Sequence, residues 1–297
     1  MKDAKFLLIV NPAAGKGKTA GLFDFIKPMF ETRKVSFEYR FTSGRGDAEA
    51  FARDSLSGGF THIIAVGGDG TSHDVVNGIL RSSLVFGIIP SGSGNDFPKS
   101  AGIPLEPSHA VNTIFSGLER SVDVGKLGDI YFINGLGIGL DGAVSHRFKN
   151  LKRFRGQLGY VLGAVQEAFL FKGFKSEIII GDWEYSGTLL LTGASNGVYQ
   201  GGKFKLAPGA KVDDGLLDFH IIKDMPPLER LIKIPKVLAG THSGLAEVEL
   251  RPGTSMEIKI SRPVPAHMDG EPFYLDPGTH RIDVVPGALR IMSAEGV

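Results

Sequence analysis

Four short strand-like runs near the start of the chain each stop at a loop of glycine or small polar residues. They are Phe6-Leu7-Leu8-Ile9-Val10, Val35 to Phe41, Thr61 to Val66, and Val85-Phe86-Gly87-Ile88-Ile89. Segments with helical spacing separate them: Leu22, Phe23 and Ile26 after Thr19, then Ala48 to Leu56, then Ser72 to Leu80. Strands alternating with helices imply a parallel sheet covered on both faces. In such sheets ligands bind beyond the carboxyl ends of the strands. Every glycine-bearing loop in this stretch falls at that edge.

The loop after the third run is Gly67-Gly68-Asp69-Gly70-Thr71. Glycine allows close backbone approach and positive φ. A following helix start offers free N–H groups that favour negative charge. A phosphate site is therefore one reading and an ordinary strand–turn–helix connection the other. Asp69 would repel a phosphate unless a cation intervened, so it reads as Mg²⁺-linked or proton-handling. The fourth strand runs into Ser91-Gly92-Ser93-Gly94-Asn95-Asp96-Phe97. Two acids at neighbouring strand ends suit an Mg²⁺–phosphate site, while Asp96 also fits a helix cap. The first loop, Asn11-Pro12-Ala13-Ala14-Gly15-Lys16-Gly17-Lys18, is cationic but lacks the Walker spacing of a P-loop.

The 297 residues exceed one typical domain. From about Arg120 the pattern changes to closely spaced strand-like runs punctuated by Gly, Pro and Asp: 121–124, 130–133, 176–180, 188–192, 216–222, 247–250, 255–260 and 281–285. This predicts an antiparallel sandwich, interrupted by helices over 144–171, broken near Gly156, and over 228–238. The expected organisation is an α/β nucleotide-binding domain at 1–125 and a β-sandwich at 126–286. Cysteine is absent, which excludes disulfides and thiolate metal sites and fits a reducing cytoplasm. The N-terminal apolar run is too short for a secretory core, and no stretch is long enough to span a bilayer. A net charge of +1 argues against nucleic acid as a partner. The segment His146 to Lys175 interleaves seven basic residues with aromatics against one acid, Glu167. It reads either as a surface helix for an anionic membrane or as a helix packing aromatics on the sheet with its lysines solvated.

In order, Asn11-Pro12-Ala13-Ala14-Gly15, Gly67 to Thr71, Gly92 to Phe97, Asn134 through Asp141, Asn196-Gly197, Ala207-Pro208, Asp213 to Leu216 and Asp269-Gly270-Glu271 resemble the bacterial diacylglycerol kinase catalytic-domain family. These lipid kinases are similar to sphingosine and ceramide kinases. The resemblance implies a nucleotide-binding α/β domain followed by a β-sandwich, with ATP between them and the last segment, 287–297, returning to the first domain. It implies ATP and Mg²⁺ as cofactors. The activity it implies is transfer of the γ-phosphate to a lipid alcohol at a membrane surface, with diacylglycerol as the default acceptor in phospholipid biosynthesis. By the same resemblance, Asn11, Thr42, Gly67, Gly68, Asp69, Gly70, Thr71, Ser72, His73 and Ser93 would line the nucleotide. Asp69 and Asp96 would sit near the transferred phosphate, and Glu271 would be the general base. Asp214, with carbonyls of Lys211 and Leu216, would hold a structural Mg²⁺, and Asp123 would belong to a water-linked network. His73 replaces a frequent asparagine, Asp74 a frequent glutamate, and Ser93 a threonine. The implied location is the cytoplasm, at the inner membrane face. Edges of the second domain permit a homodimer. Two rivals stand beside this reading: an NAD kinase-like enzyme, which Gly135 after Asn134 argues against, and a nucleotide-binding regulator without turnover.

Overall fold

The computed structural model describes residues 4–150 and 165–294. Its contacts divide the chain into two units, Met1–Asp123 with Gly287–Val297, and Val124–Pro286.

In the first unit, strands β1 (Lys5–Val10), β2 (Ser36–Phe41), β3 (His62–Gly67) and β4 (Val85–Pro90) are all parallel, in the order β2-β1-β3-β4. β3 and β4 are buried along their whole length, as continuous apolar runs in a doubly covered sheet should be. β2 instead has only exposed and half-buried residues, as an edge strand does. Helices α1 (Lys18–Thr32), α2 (Asp47–Ser55), α3 (Asp69–Ile79), α4 (Asp96–Ser100) and α5 (Pro107–Ser116) complete the crossovers. α1 and α5 lay Phe30 and Ile114 on Phe6, Leu8 and Ile64 to make one core. α2 meets α3 where Gly78 allows it: a Cβ there would lie 2.6 Å from the Cβ of Ala52.

The second unit is antiparallel. β5 (Glu119–Leu127) carries the chain into it and turns into β6 (Ile130–Phe132), with Phe132 lying over Gly125. Then follow β7 (Gly135–Gly139), helix α6 (Leu140–Asn150), β8 (Phe174–Ile180) and β9 (Trp183–Ser195). The first half of β9 pairs with β8; its second half lies between β7 and the strand Leu217–Lys223. One long strand thus serves two layers around a core that includes Phe174, Phe219, Met256 and Ile258. This is the β-rich second domain expected from sequence.

Several elements differ from the sequence reading. α3 begins at Asp69, directly after Gly68, and not at Ser72. β7, with sequence Gly-Leu-Gly-Ile-Gly, was not expected, because glycine is depleted in strands. The hairpin of Val264–Met268 and Glu271–Leu275 was also missed. The run read as 281–285 and the start of the returning segment 287–297 belong to one strand, Gly278–Met292. Its start pairs with Ser255–Ile260 in the second unit, and Ile291 pairs with Phe86 of β4 in the first. The expected break near Gly156, and residues 151–164 of the basic segment around it, lie outside the described residues.

Ile291 is fully buried on that returning strand. Ile291→Ala should lower unfolding stability by about 3 kcal/mol, read as a lower midpoint in urea with circular dichroism.

Candidate functional site

The carboxyl ends of β1, β3 and β4 are stitched into one surface by hydrogen bonds between their loops. Asn11 N donates to Val66 O (3.0 Å) and Asn11 Nδ2 to Thr71 Oγ1 (3.0 Å). Ser91 N donates to Gly67 O (2.8 Å), and Thr19 Oγ1 lies 2.7 Å from Ser91 Oγ. Asp69 is the centre of this network. One of its carboxylate oxygens accepts from Asn95 N (2.8 Å), the other from Asp96 N (2.7 Å). Asn95 is left-handed, with φ 52°, and closes its own loop by accepting from Gly92 N and donating to Gly92 O. The glycines make the approach possible. A Cβ on Gly94 would stand 2.6 Å from Asp69 Oδ2, and one on Gly92 2.6 Å from Gly68 Cα. Thr71 and Ser72 are buried; Ser93 is exposed; Gly68, Asp69, Gly70 and His73 are half-buried. Thr42 is buried at the end of β2, its N–H on Val10 O. The Asp96 carboxylate, 3.7 Å from Lys99 Nζ, is buried at the start of α4.

In the second unit a row of cross-strand neighbours runs His267, Gly137, Gly193, His220 over four adjacent strands. The two glycines leave room for side chains above them. A Cβ on Gly137 would lie 1.9 Å from Asp141 Oδ2 and 2.6 Å from His267 Nε2; one on Gly193 would lie 2.9 Å from His220 Nε2. His267 Nδ1 accepts from Gly270 N (3.2 Å), so its proton sits on Nε2, which faces Asp141 Oδ2 at 3.6 Å. That oxygen is buried with no hydrogen bond. His220 is fully buried, and burial pushes its imidazole down to about 4, so it is neutral. Above Asp141 and His267 lies a cavity of about 130 Å³ walled chiefly by apolar side chains, among them Val144, Leu191, Leu206, Ile234 and Val237.

The hairpin that carries Glu271 turns through Asp269 (φ 48°) and Gly270 (φ 86°), the positive-φ pair of a two-residue hairpin. Asp269 is buried, and its carboxylate accepts from Ile133 N, Asn134 N and Gly135 N at 2.9–3.0 Å. Glu271 pairs with Met268, one register step from His267. Asn134 is consumed structurally, its Nδ2 donating to Tyr199 O.

Asp214 is exposed, its Oδ1 accepting from Leu216 N (3.1 Å); Lys211 is exposed too. Burial and then the charge of Asp214 raise the Asp218 carboxyl to about 6. The charge of Asp214 is felt at Asp218, and carboxylate oxygens are the hard ligands Mg²⁺ accepts, so these side chains fit the ion. Among the described residues no three His, Asp or Glu side chains converge as a metal cluster. Asp123 is buried and accepts from Gly287 N (2.7 Å), where the chain re-enters the first unit.

Sequence reasoning placed Asp141 in a motif without giving it a role, and it missed His267, Asp218 and the role of Asp269. The Asp-Gly pair before Glu271 is a hairpin signal that could have found the last. His267 reaches Gly137 through strand register, which a single sequence does not display.

Residues 5–127 match the diacylglycerol kinase catalytic domain, and residues 135–293 match the YegS C-terminal NAD kinase beta sandwich-like domain. The chain is 31% identical to a "probable lipid kinase YegS-like" of Chromohalobacter salexigens, covering 99% of this chain and 94% of that one. A protein of the same description from Pseudomonas fluorescens is 32% identical over 98% of this chain and 96% of its own. A crystal structure titled as a "putative diacylglycerol kinase" from Bacillus anthracis superposes with a TM-score of 0.83 at 28% identity, covering 99% of each chain. The two matched domains define the lipid-kinase class with a diacylglycerol kinase catalytic domain. The chain belongs to its YegS-like family.

Folded Asp218 keeps its proton up to about pH 6, whereas the unfolded side chain releases it near 3.8. The native state therefore holds more protons between these values, and stability should fall as pH rises through that window. The loss should be about 2 kcal/mol after allowing for partial exposure. Asp218→Asn should flatten this slope in thermal melts at pH 4 to 7. In the wild type, added Mg²⁺ should restore stability above pH 6 but not at pH 4.

Proposed function

We propose that this protein is an ATP-dependent lipid kinase that phosphorylates the hydroxyl of a lipid alcohol, with diacylglycerol as acceptor and phosphatidic acid as product. The observation that carries the lipid part is the apolar cavity of the second unit. It ends on the pair Asp141–His267, one register step from Glu271. An acyl chain gains by leaving water for such a cavity, and a hydroxyl at its end meets the Asp141 carboxylate.

The first-unit loops supply the other half of the reading. Phosphoryl transfer depends on alignment and charge neutralisation. Loops fixed by Asp69 present Gly67 to Thr71 and Gly92 to Asp96 as a rigid edge for a triphosphate. Gly67, Gly68, Gly70 and Ser93 offer close approach, with Asn11, Thr42, Thr71, Ser72 and His73 supporting that edge. Asp69 acts through the backbone it holds, and Asp96 stands beside the transferred group. The acceptor oxygen forms its bond to Pγ while the Pγ–O bond to ADP breaks. Glu271 takes the hydroxyl proton. Mg²⁺ supplies neutralisation of the phosphate charge when bound. Asp214, with carbonyls of Lys211 and Leu216, would hold a second, structural ion. The acceptor being membrane-resident, the protein works in the cytoplasm at the inner membrane face.

Purified protein with labelled ATP and a panel of lipid alcohols tests this. Diacylglycerol should become labelled. Labelled NAD instead would favour the NAD kinase-like rival, and ATP binding without transfer the regulator. Glu271→Gln should lower kcat about 10²- to 10⁴-fold with an unchanged melting temperature. Val237→Trp, which fills the cavity, should raise KM for long-chain lipid at least about tenfold while leaving KM for ATP unchanged.

A further inference from the structure

The helix Pro227–Ala239 is apolar on two opposite sides, which a helix between a core and water is not. Its inner side, through Ile234 and Val237, walls the cavity. Its outer side presents Leu228, Ile232, Pro235 and Ala239 at helical spacing, with Leu228 67% and Ile232 72% exposed. These are the two most exposed large aliphatic side chains among the described residues. The next, Leu170 at 61%, ends a short helical stretch at 165–170 together with Phe169. Arg230 ties the two pieces together. It is buried, and its Nη1 donates to Ala168 O and Phe171 O at 2.8 Å each.

The charges around this surface are sorted. Asp224 is paired with Arg230, Glu167 with Arg147, and Glu229 and Glu247 both with Lys233. Lys172 and Lys236 are exposed and have no acidic partner among the described residues. What remains is an apolar patch with unneutralised cations at its margin and neutralised acids. A single exposed Leu or Ile would need no explanation. A grouped set on the outer wall of an apolar cavity does.

We propose that this outer face of Pro227–Ala239, with Phe169 and Leu170, is the surface by which the protein lies on an anionic lipid bilayer. Leu228 and Ile232 enter the acyl boundary, and Lys172 and Lys236 contact anionic headgroups. The wall of the cavity then faces the layer from which a lipid chain is drawn. This rests on the lipid-kinase reading for its purpose, and its test reads binding and not turnover.

The chain has no cysteine, so one placed by Ile232→Cys can carry an environment-sensitive fluorophore alone. With vesicles of phosphatidylcholine and phosphatidylglycerol, emission at position 232 should shift to the blue and be quenched by bromines in the acyl chains. A label placed by Asp182→Cys, on the exposed turn before β9, should not respond. Leu228→Ser with Ile232→Ser should weaken co-sedimentation with these vesicles at least about tenfold. Lys172→Gln with Lys236→Gln should remove several-fold of the preference for phosphatidylglycerol over pure phosphatidylcholine. All variants should keep the wild-type melting curve. No shift at position 232 on wild-type-level vesicle binding, no vesicle binding by the wild type, or a dimer that Ile232→Ser dissociates would each overturn the proposal. Vesicle binding with no kinase activity would leave it standing and count against the enzyme.

Discussion

A carboxylate that accepts backbone N–H groups from another loop is the interaction on which both units depend. Asp69 fixes Asn95 and Asp96; Asp269 fixes Ile133, Asn134 and Gly135. Each such charge-assisted bond contributes about 1.5–3 kcal/mol, and each joins residues far apart in sequence. Acidic residues in the two most conspicuous glycine motifs of the chain thus set backbone geometry. What they position is the glycine edge in the first unit and the hairpin bearing Glu271 in the second.

Glycine has two different uses here. In the first unit it permits loops to touch, as Gly68 and Gly92 do, and Gly15 combines positive φ with a close approach to Ser91 O. In the second, Gly137 and Gly193 are absences under Asp141, His267 and His220, giving polar groups room inside a β-layer. The burial that keeps His220 neutral leaves its Nε2 without a partner. A buried polar floor beneath an apolar cavity is disfavoured by desolvation, and a domain retains one where a ligand's polar end is to be received.

The fold was legible where local pattern and burial agree. β1, β3 and β4 are continuous apolar runs, and their loops mark the sheet edge. It was illegible where packing overrides propensity. β7 is a strand despite three glycines in five residues, because its neighbours β9 and Val264–Met268 supply the pairing and the bulk. Gly278–Met292 runs through Pro286 and Gly287, which read as a break in sequence. The motif residues could be named from the chain, but not what their atoms do. Nothing in Gly-Gly-Asp-Gly-Thr says that Thr71 turns inward to Asn11, or that Asp69 is spent on two N–H groups. His267 stands over Gly137 through strand register, which has no signature in one sequence.

The central claim is that the loops held by Asp69 form the nucleotide's phosphate site. Hydrogen–deuterium exchange of the wild-type protein, with and without MgATP, tests it most directly. Slower exchange in peptides spanning 11–18, 67–73 and 91–97 is the expected result. Unchanged exchange in all three at a saturating nucleotide concentration would contradict it.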